Sequence, residues 1–111
     1  FDFVFTHSHG DLHQDHRLIS EITLELFRGP NIIAYEIPKF DGNPFRPNLY
    51  FGLNQQSVQK KVNHLMKHYK SQHDKIWYNS STFEATMILR GVEASKLFAE
   101  GFELVKHIIE E

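Results

Sequence analysis

The first 37 residues constrain the fold most. Phe1, Phe3, Val4 and Phe5 form a near-continuous apolar run, as expected of a strand buried on both faces over residues 1–6. A polar loop with a glycine follows, Thr6-His7-Ser8-His9-Gly10. From about Gln14 to Arg28 the spacing predicts a helix, with Leu18, Ile19, Ile22 and Leu26 in one apolar stripe broadened by Leu24 and Phe27. Gly29-Pro30 should end it, glycine as a left-handed cap and Arg28 favouring the helix dipole. A second strand runs from Asn31 to Ile37 and stops at Pro38. Strand, loop, helix and strand in that order predict a βαβ unit, hence a parallel pair joined by a right-handed crossover. Ligands of such sheets sit beyond the carboxyl ends of the strands. The loop over residues 6–16 occupies that position.

That loop carries the chemistry. Asp11-Leu12-His13-Gln14-Asp15-His16-Arg17 places two histidines and two acids in seven residues. Neutral imidazole is a common metal ligand, and carboxylates complete borderline sites. His13 and His16, spaced i and i+3, share a face if the segment is helical. Asp15 can reach His13 only if a turn leads into the helix. One histidine as ligand and one as acid is a sensible division of labour beside a metal-activated water. His7 and His9 could add ligands, or serve as loop residues that bond backbone groups. Asp11 can cap the helix start. A helix-start hydrogen-bond network remains an alternative for His13, Asp15 and His16 together, and the spacing does not match His-Glu-x-x-His.

The rest of the chain reads as scaffold. Residues 39–48 form a loop in which Phe40 and Phe45 need cover, and Leu49-Tyr50-Phe51 is a short strand. Asn54 caps a helix from Gln55 to about Tyr69 with the stripe Val58, Val62, Leu65, Met66 and Tyr69. Ser81-Thr82-Phe83-Glu84 reads as a capping box. The helix it opens runs to about Lys96, with Phe83, Met87, Ile88 and Val92 inward and Gly91 allowing close packing. Phe102-Glu103-Leu104-Val105 is a last strand. His64, His68, His73 and His107 fall on polar faces or in loops.

Composition removes several function classes. A formal net charge of -2 with no basic block argues against nucleic acid as partner. The absence of cysteine removes disulfides and thiolate metal sites. No run approaches the ~18 apolar residues of a membrane span. No signal segment is visible, which gives an expectation of cytoplasmic location. The opening Phe1-Asp2-Phe3-Val4-Phe5, already inside a strand pattern, gives the expectation that these 111 residues are one domain fragment of a longer protein. Exposed aromatics at such an edge would promote association into a homo-oligomer.

Thr6-His7-Ser8-His9-Gly10-Asp11-Leu12-His13-Gln14-Asp15-His16-Arg17 resembles the second motif of the PIG-L/LmbE-like de-N-acetylases, roughly D-x-H-x-D-H after a strand. The resemblance continues through Tyr35-Glu36-Ile37-Pro38, Pro47-Asn48-Leu49-Tyr50, Tyr69-Lys70-Ser71-Gln72, Arg90-Gly91 and the segment Phe98 to Glu103. It implies a Rossmann-like α/β three-layer sandwich with a mostly parallel sheet, of which this chain is the C-terminal part. It also implies Zn2+, or another divalent metal, and hydrolysis of the acetamide of an N-acetylglucosamine-type amino-sugar conjugate. By position, His16 matches the metal ligand, His13 the histidine that acts as acid or oxyanion stabiliser, and Asp15 the acid that orients His13. The family's first motif, His-Pro-Asp-Asp, is absent here, and with it two ligands and the general base. The expectation is therefore that the chain alone has no competent zinc site. Two rivals stand beside this reading. One is a non-catalytic carbohydrate-binding or interaction domain that kept the fold without a metal. The other is a small metal protein built on His7, His9, His13 and His16.

Overall fold

The computed structural model describes residues 2–39, 42 and 44–111. Phe1, Phe40, Asp41 and Asn43 lie outside them, so the expectations for Phe1 and Phe40 are untouched. The elements in chain order are β1 (Phe3–His7), α1 (Gln14–Leu26), β2 (Asn31–Tyr35), β3 (Leu49–Leu53), α2 (Gln55–His68), a single 3-10 turn at Lys70–Gln72, α3 (Ser80–Ala94) and β4 (Phe98–Lys106). The protein is a mixed α/β chain with a four-stranded sheet in the order β1-β2-β4-β3. No helix among the described residues is long and apolar enough to cross a membrane.

The chain forms two compact units, residues 1–49 with 102–111, and residues 50–101. In the first unit β1 and β2 pair in parallel, with Phe5 opposite Ile33 and His7 opposite Tyr35. This is the pair expected from the βαβ pattern. Ile32, Ile33 and Ala34 are buried, which explains the unbroken apolar run of β2. The latter part of β4 then runs antiparallel along β2, with Leu104 opposite Ile33 and Phe102 opposite Tyr35. The sheet is therefore mixed, which corrects the expectation of a mostly parallel one. A crossover helix dictates direction only for the two strands it joins, and β2 and β4 are far apart in the chain.

Helix α1 departs from its sequence pattern. Its buried residues are Ser20 and Thr23, while Leu18, Ile19, Ile22 and Leu26 are exposed, Leu26 at 71%. Small hydroxyl residues let the helix lie close to the strand. The Thr6 and Thr23 hydroxyls hydrogen-bond at 3.0 Å, and Thr23 also donates to the Ile19 carbonyl at 2.7 Å. The helix ends at Leu26, short of Arg28, and Gly29 has no left-handed conformation. Instead Lys106 donates to the Phe27 and Arg28 carbonyls, at 3.2 and 2.6 Å, and supplies the cation that helix ends favour.

The second unit packs around Val58, Val62, Tyr78, Phe83 and Met87, with Leu53, Leu65, Met66, Trp77 and Phe98 against them. Asn54 caps α2 as expected, its Oδ1 accepting from Ser57 N at 2.8 Å. Helix α3 is capped by Asn79, which accepts from Thr82 N at 2.8 Å. The expected capping box at Ser81 is displaced because asparagine two residues earlier makes the same bond. Phe83 and Met87 face inward, whereas Ile88 and Val92 are exposed. A Cβ on Gly91 would sit 2.7 Å from the Lys96 and Leu97 carbonyl oxygens, so the close approach there requires glycine. Ser95, in the left-handed conformation, turns the chain from α3 into β4.

Candidate functional site

The carboxyl end of β1 and the start of α1 bring His7, Asp11, His13 and His16 together. The segment between them is held by short-range bonds. Asp11 N donates to the Ser8 carbonyl at 3.1 Å, and Gly10 N to Ser8 Oγ at 3.3 Å. Ser8 Oγ in turn donates to Glu103 Oε2 at 3.0 Å, on β4 of the same unit. His9 is exposed and meets the other oxygen of Glu103, at 3.3 Å. It is not among the residues whose ligand-type atoms come together.

Asp11 is the hub. It is 3% exposed. Its Oδ1 accepts from His13 N at 2.8 Å, and its Oδ2 lies 3.0 Å from His16 Nδ1. Lys39 Nζ donates to the same Oδ2 at 2.9 Å, from a side chain 6% exposed. Arg17 closes the turn by donating to the Asp11 carbonyl at 3.0 Å. Burial pushes the Asp11 carboxyl up, but the His13 N–H, the Lys39 ammonium and the His16 ring outweigh it. The group stays below the ordinary carboxylate range, and hence ionised.

His13 is the N-cap of α1, and its Nδ1 accepts from Asp15 N at 3.2 Å. The contact between Asp15 and His13 is thus made by the Asp15 backbone. The Asp15 carboxylate is exposed and meets no partner among the described residues. The expectation that this carboxylate steadies His13 finds a backbone N–H in its place. A residue two positions into a helix points away from the cap, while its amide points at it.

The three rings form a stack. His7 and His16 lie 3.9 Å apart between centroids and 3° from parallel, and His13 and His16 lie 4.4 Å apart at 22°. Tyr35 OH sits 3.4 Å from His7 Nε2, and His7 Nδ1 is buried with no hydrogen-bond partner among the described residues. Burial holds the His7 pKa below its usual value, with His16, Lys39 and His13 acting in the same direction and Asp11 against them. The loop histidine taken as an optional ligand is therefore part of the cluster. Its position at the last residue of β1 was the available signal. Nothing in the local sequence distinguishes Lys39, although it follows β2 as the Asp11 loop follows β1. Neighbouring parallel strands bring such segments together at their carboxyl ends.

Ligand-type atoms of His7, Asp11 and His16 lie within 4.8 Å of one another. Their chemistry separates them. The Asp11 oxygens are already engaged, one of them by an ammonium that would repel a cation. The lone pairs of two parallel rings run side by side and do not converge on one ion. His16 fits a metal: a carboxylate holds Nδ1, and no group among the described residues occupies its Nε2. Histidine ligands typically show this arrangement, with the second nitrogen anchored by a carboxylate. As built, the residues fit a metal's surroundings through one ligand, His16.

Among solved structures, the chain is similar to GalB, the 4-carboxy-2-hydroxymuconate hydratase from Pseudomonas putida KT2440, with 20% identity and a TM-score of 0.69. The match covers 99% of this chain and 54% of that one, so the chain spans about half the hydratase's length. At this identity the likeness establishes the fold alone. No family model and no curated protein matches the chain.

Proposed function

We propose that these residues are part of a zinc-dependent de-N-acetylase that hydrolyses the acetamide of an N-acetylglucosamine-type amino-sugar conjugate. The proposal includes a Rossmann-like three-layer fold for the whole protein. The observation that carries it is the pairing of two unlike imidazoles at one helix start. His16 presents a bare Nε2, suited to holding the metal. The backbone bond to His13 Nδ1 leaves the proton of its neutral ring on Nε2, suited to donating.

When bound, the metal supplies carbonyl polarisation and a more acidic water. His13 Nε2–H donates a hydrogen bond to the acetamide oxygen as negative charge builds there and keeps its proton, while the proton that the general base takes from water goes to the departing amine. Asp15 orients His13 through its backbone N–H, and its carboxylate is exposed. The two further ligands and the general base belong, in this reading, to a His-Pro-Asp-Asp segment outside these residues.

The test is acetate release from N-acetylglucosamine conjugates by the full-length protein, with and without zinc. Release should vanish with chelation and with His16→Ala. His13→Ala should lower kcat by about 10²–10³-fold through loss of an oxyanion donor, and the 111-residue chain alone should release none. Zinc-independent sugar binding without acetate release would favour the binding-domain reading. Consumption of an unsaturated hydroxy acid without acetate release would favour hydration, the reaction in the name of the similar structure.

A further inference from the structure

We propose that Asp11, clamped by Lys39, is the positioning residue of the site: it fixes the neutral His16 ring with its proton on Nδ1 and Nε2 bare, while the Asp15 backbone fixes His13 in the opposite tautomer. The proposal rests on the reading of His16 as the metal-facing ring, but its test does not depend on acetate release.

The argument follows from which atoms can donate. An ionised carboxylate has no proton, so the 3.0 Å contact between Asp11 Oδ2 and His16 Nδ1 requires the proton to be on the nitrogen. A backbone N–H can only donate, so the 3.2 Å contact between Asp15 N and His13 Nδ1 requires that nitrogen to be bare. Two stacked rings three residues apart therefore offer different atoms at Nε2. His16 presents a lone pair and His13 presents a proton.

Lys39 makes the arrangement one-directional. Its ammonium lies 2.9 Å from the oxygen that receives His16, deep enough that water does not screen the pair. Asp11 is thereby kept anionic, kept out of a metal's first coordination sphere, and kept in register with the ring. His13 N holds its other oxygen, so the carboxylate cannot rotate away. Of the three contacts to the Asp11 carboxylate, those from His13 N and Lys39 fix the carboxylate that receives the His16 ring. The sequence motif alone assigns Asp11 no such role.

The experiment reads ring nitrogens directly. Long-range proton–nitrogen correlation spectra of the 15N-labelled 111-residue chain, taken above about pH 7.5 so that ordinary histidines are neutral, distinguish the two tautomers. His16 should show a protonated Nδ1 and a bare Nε2, and His13 the reverse. Asp11→Asn should erase the His16 preference and leave His13 unchanged. In the full-length protein it should weaken zinc binding about 10–100-fold. Where Asp11→Asn fails to fold, Lys39→Met, which keeps the carboxylate but removes its clamp, should weaken the Nδ1 preference of His16 and leave His13 unchanged. A wild-type His16 with its proton on Nε2, or an unchanged His16 in folded Asp11→Asn, overturns the proposal. Correct tautomers in a protein that releases no acetate would sink the deacetylase reading and leave this assignment standing.

Discussion

The two units fill their interiors differently. All the buried polar residues among those described, Thr6, Ser8, Asp11, Ser20 and Thr23, belong to the first unit. The second unit buries Val58, Val62, Phe83 and Met87 around Tyr78. Apolar packing rewards volume and tolerates exchange of shape. Buried hydrogen bonds reward direction and penalise any unmatched group. The first unit therefore buries, beside Ile32, Ile33, Ala34 and Phe45, polar groups that aim side chains, and the second packs without a comparable polar constellation.

The largest test of that contrast is Asp11→Ala. Removing one partner of a buried ion pair should cost about 3–5 kcal/mol, read by urea denaturation. Adding Lys39→Met should recover much of the loss, because an apolar pair leaves no charge stranded. Met87→Ala in the second unit should cost about 2–5 kcal/mol through a cavity. If Asp11→Ala cost less than 1 kcal/mol, the polar interior would be incidental and the contrast would fail. Asn79→Ala removes the N-cap of α3 and should cost about 1 kcal/mol.

The smallest effects are in pH and have opposite signs. The His7 pKa is lowered on folding, so its contribution is fully present above the unfolded value near 6.5 and is lost as pH falls below it. The Tyr78 pKa is raised, first by burial and then by Tyr69. Its contribution is fully present below about pH 10 and is lost as pH rises beyond that. Trp77, packed against the second unit's core, reports the alkaline change by fluorescence. The imidazole signals of the first unit report the acid change. Both changes following one probe would erase the distinction.

Legibility in the sequence follows the same division. Asn54, Val58, Val62, Phe83 and Met87 were readable because local capping and apolar periodicity decide their places. The parallel pair of β1 and β2 was readable because a short helical crossover admits no other direction. The α1 stripe misled, since amphipathic periodicity shows that a helix has an apolar face and not that the face is covered. The direction of β4 was unreadable because no local connection sets it. At the site, His13 and His16 stood out by spacing. His7, Lys39 and the central role of Asp11 depend on contacts between two adjacent strand ends. The route by which Asp15 reaches His13 turned on a single amide.

The exposed stripe of α1 changes how this chain behaves in solution. Leu18, Ile19, Ile22 and Leu26 face water on a helix whose docking contacts are hydroxyls. Apolar dyes such as ANS bind surfaces of this kind, and their binding is commonly taken as a sign of a molten globule. A folded preparation of these residues should bind the dye while Trp77 keeps a strong near-ultraviolet dichroism signal. Dye fluorescence here would then mark a native helix face, and a loss of packing would show only when the dichroism disappears.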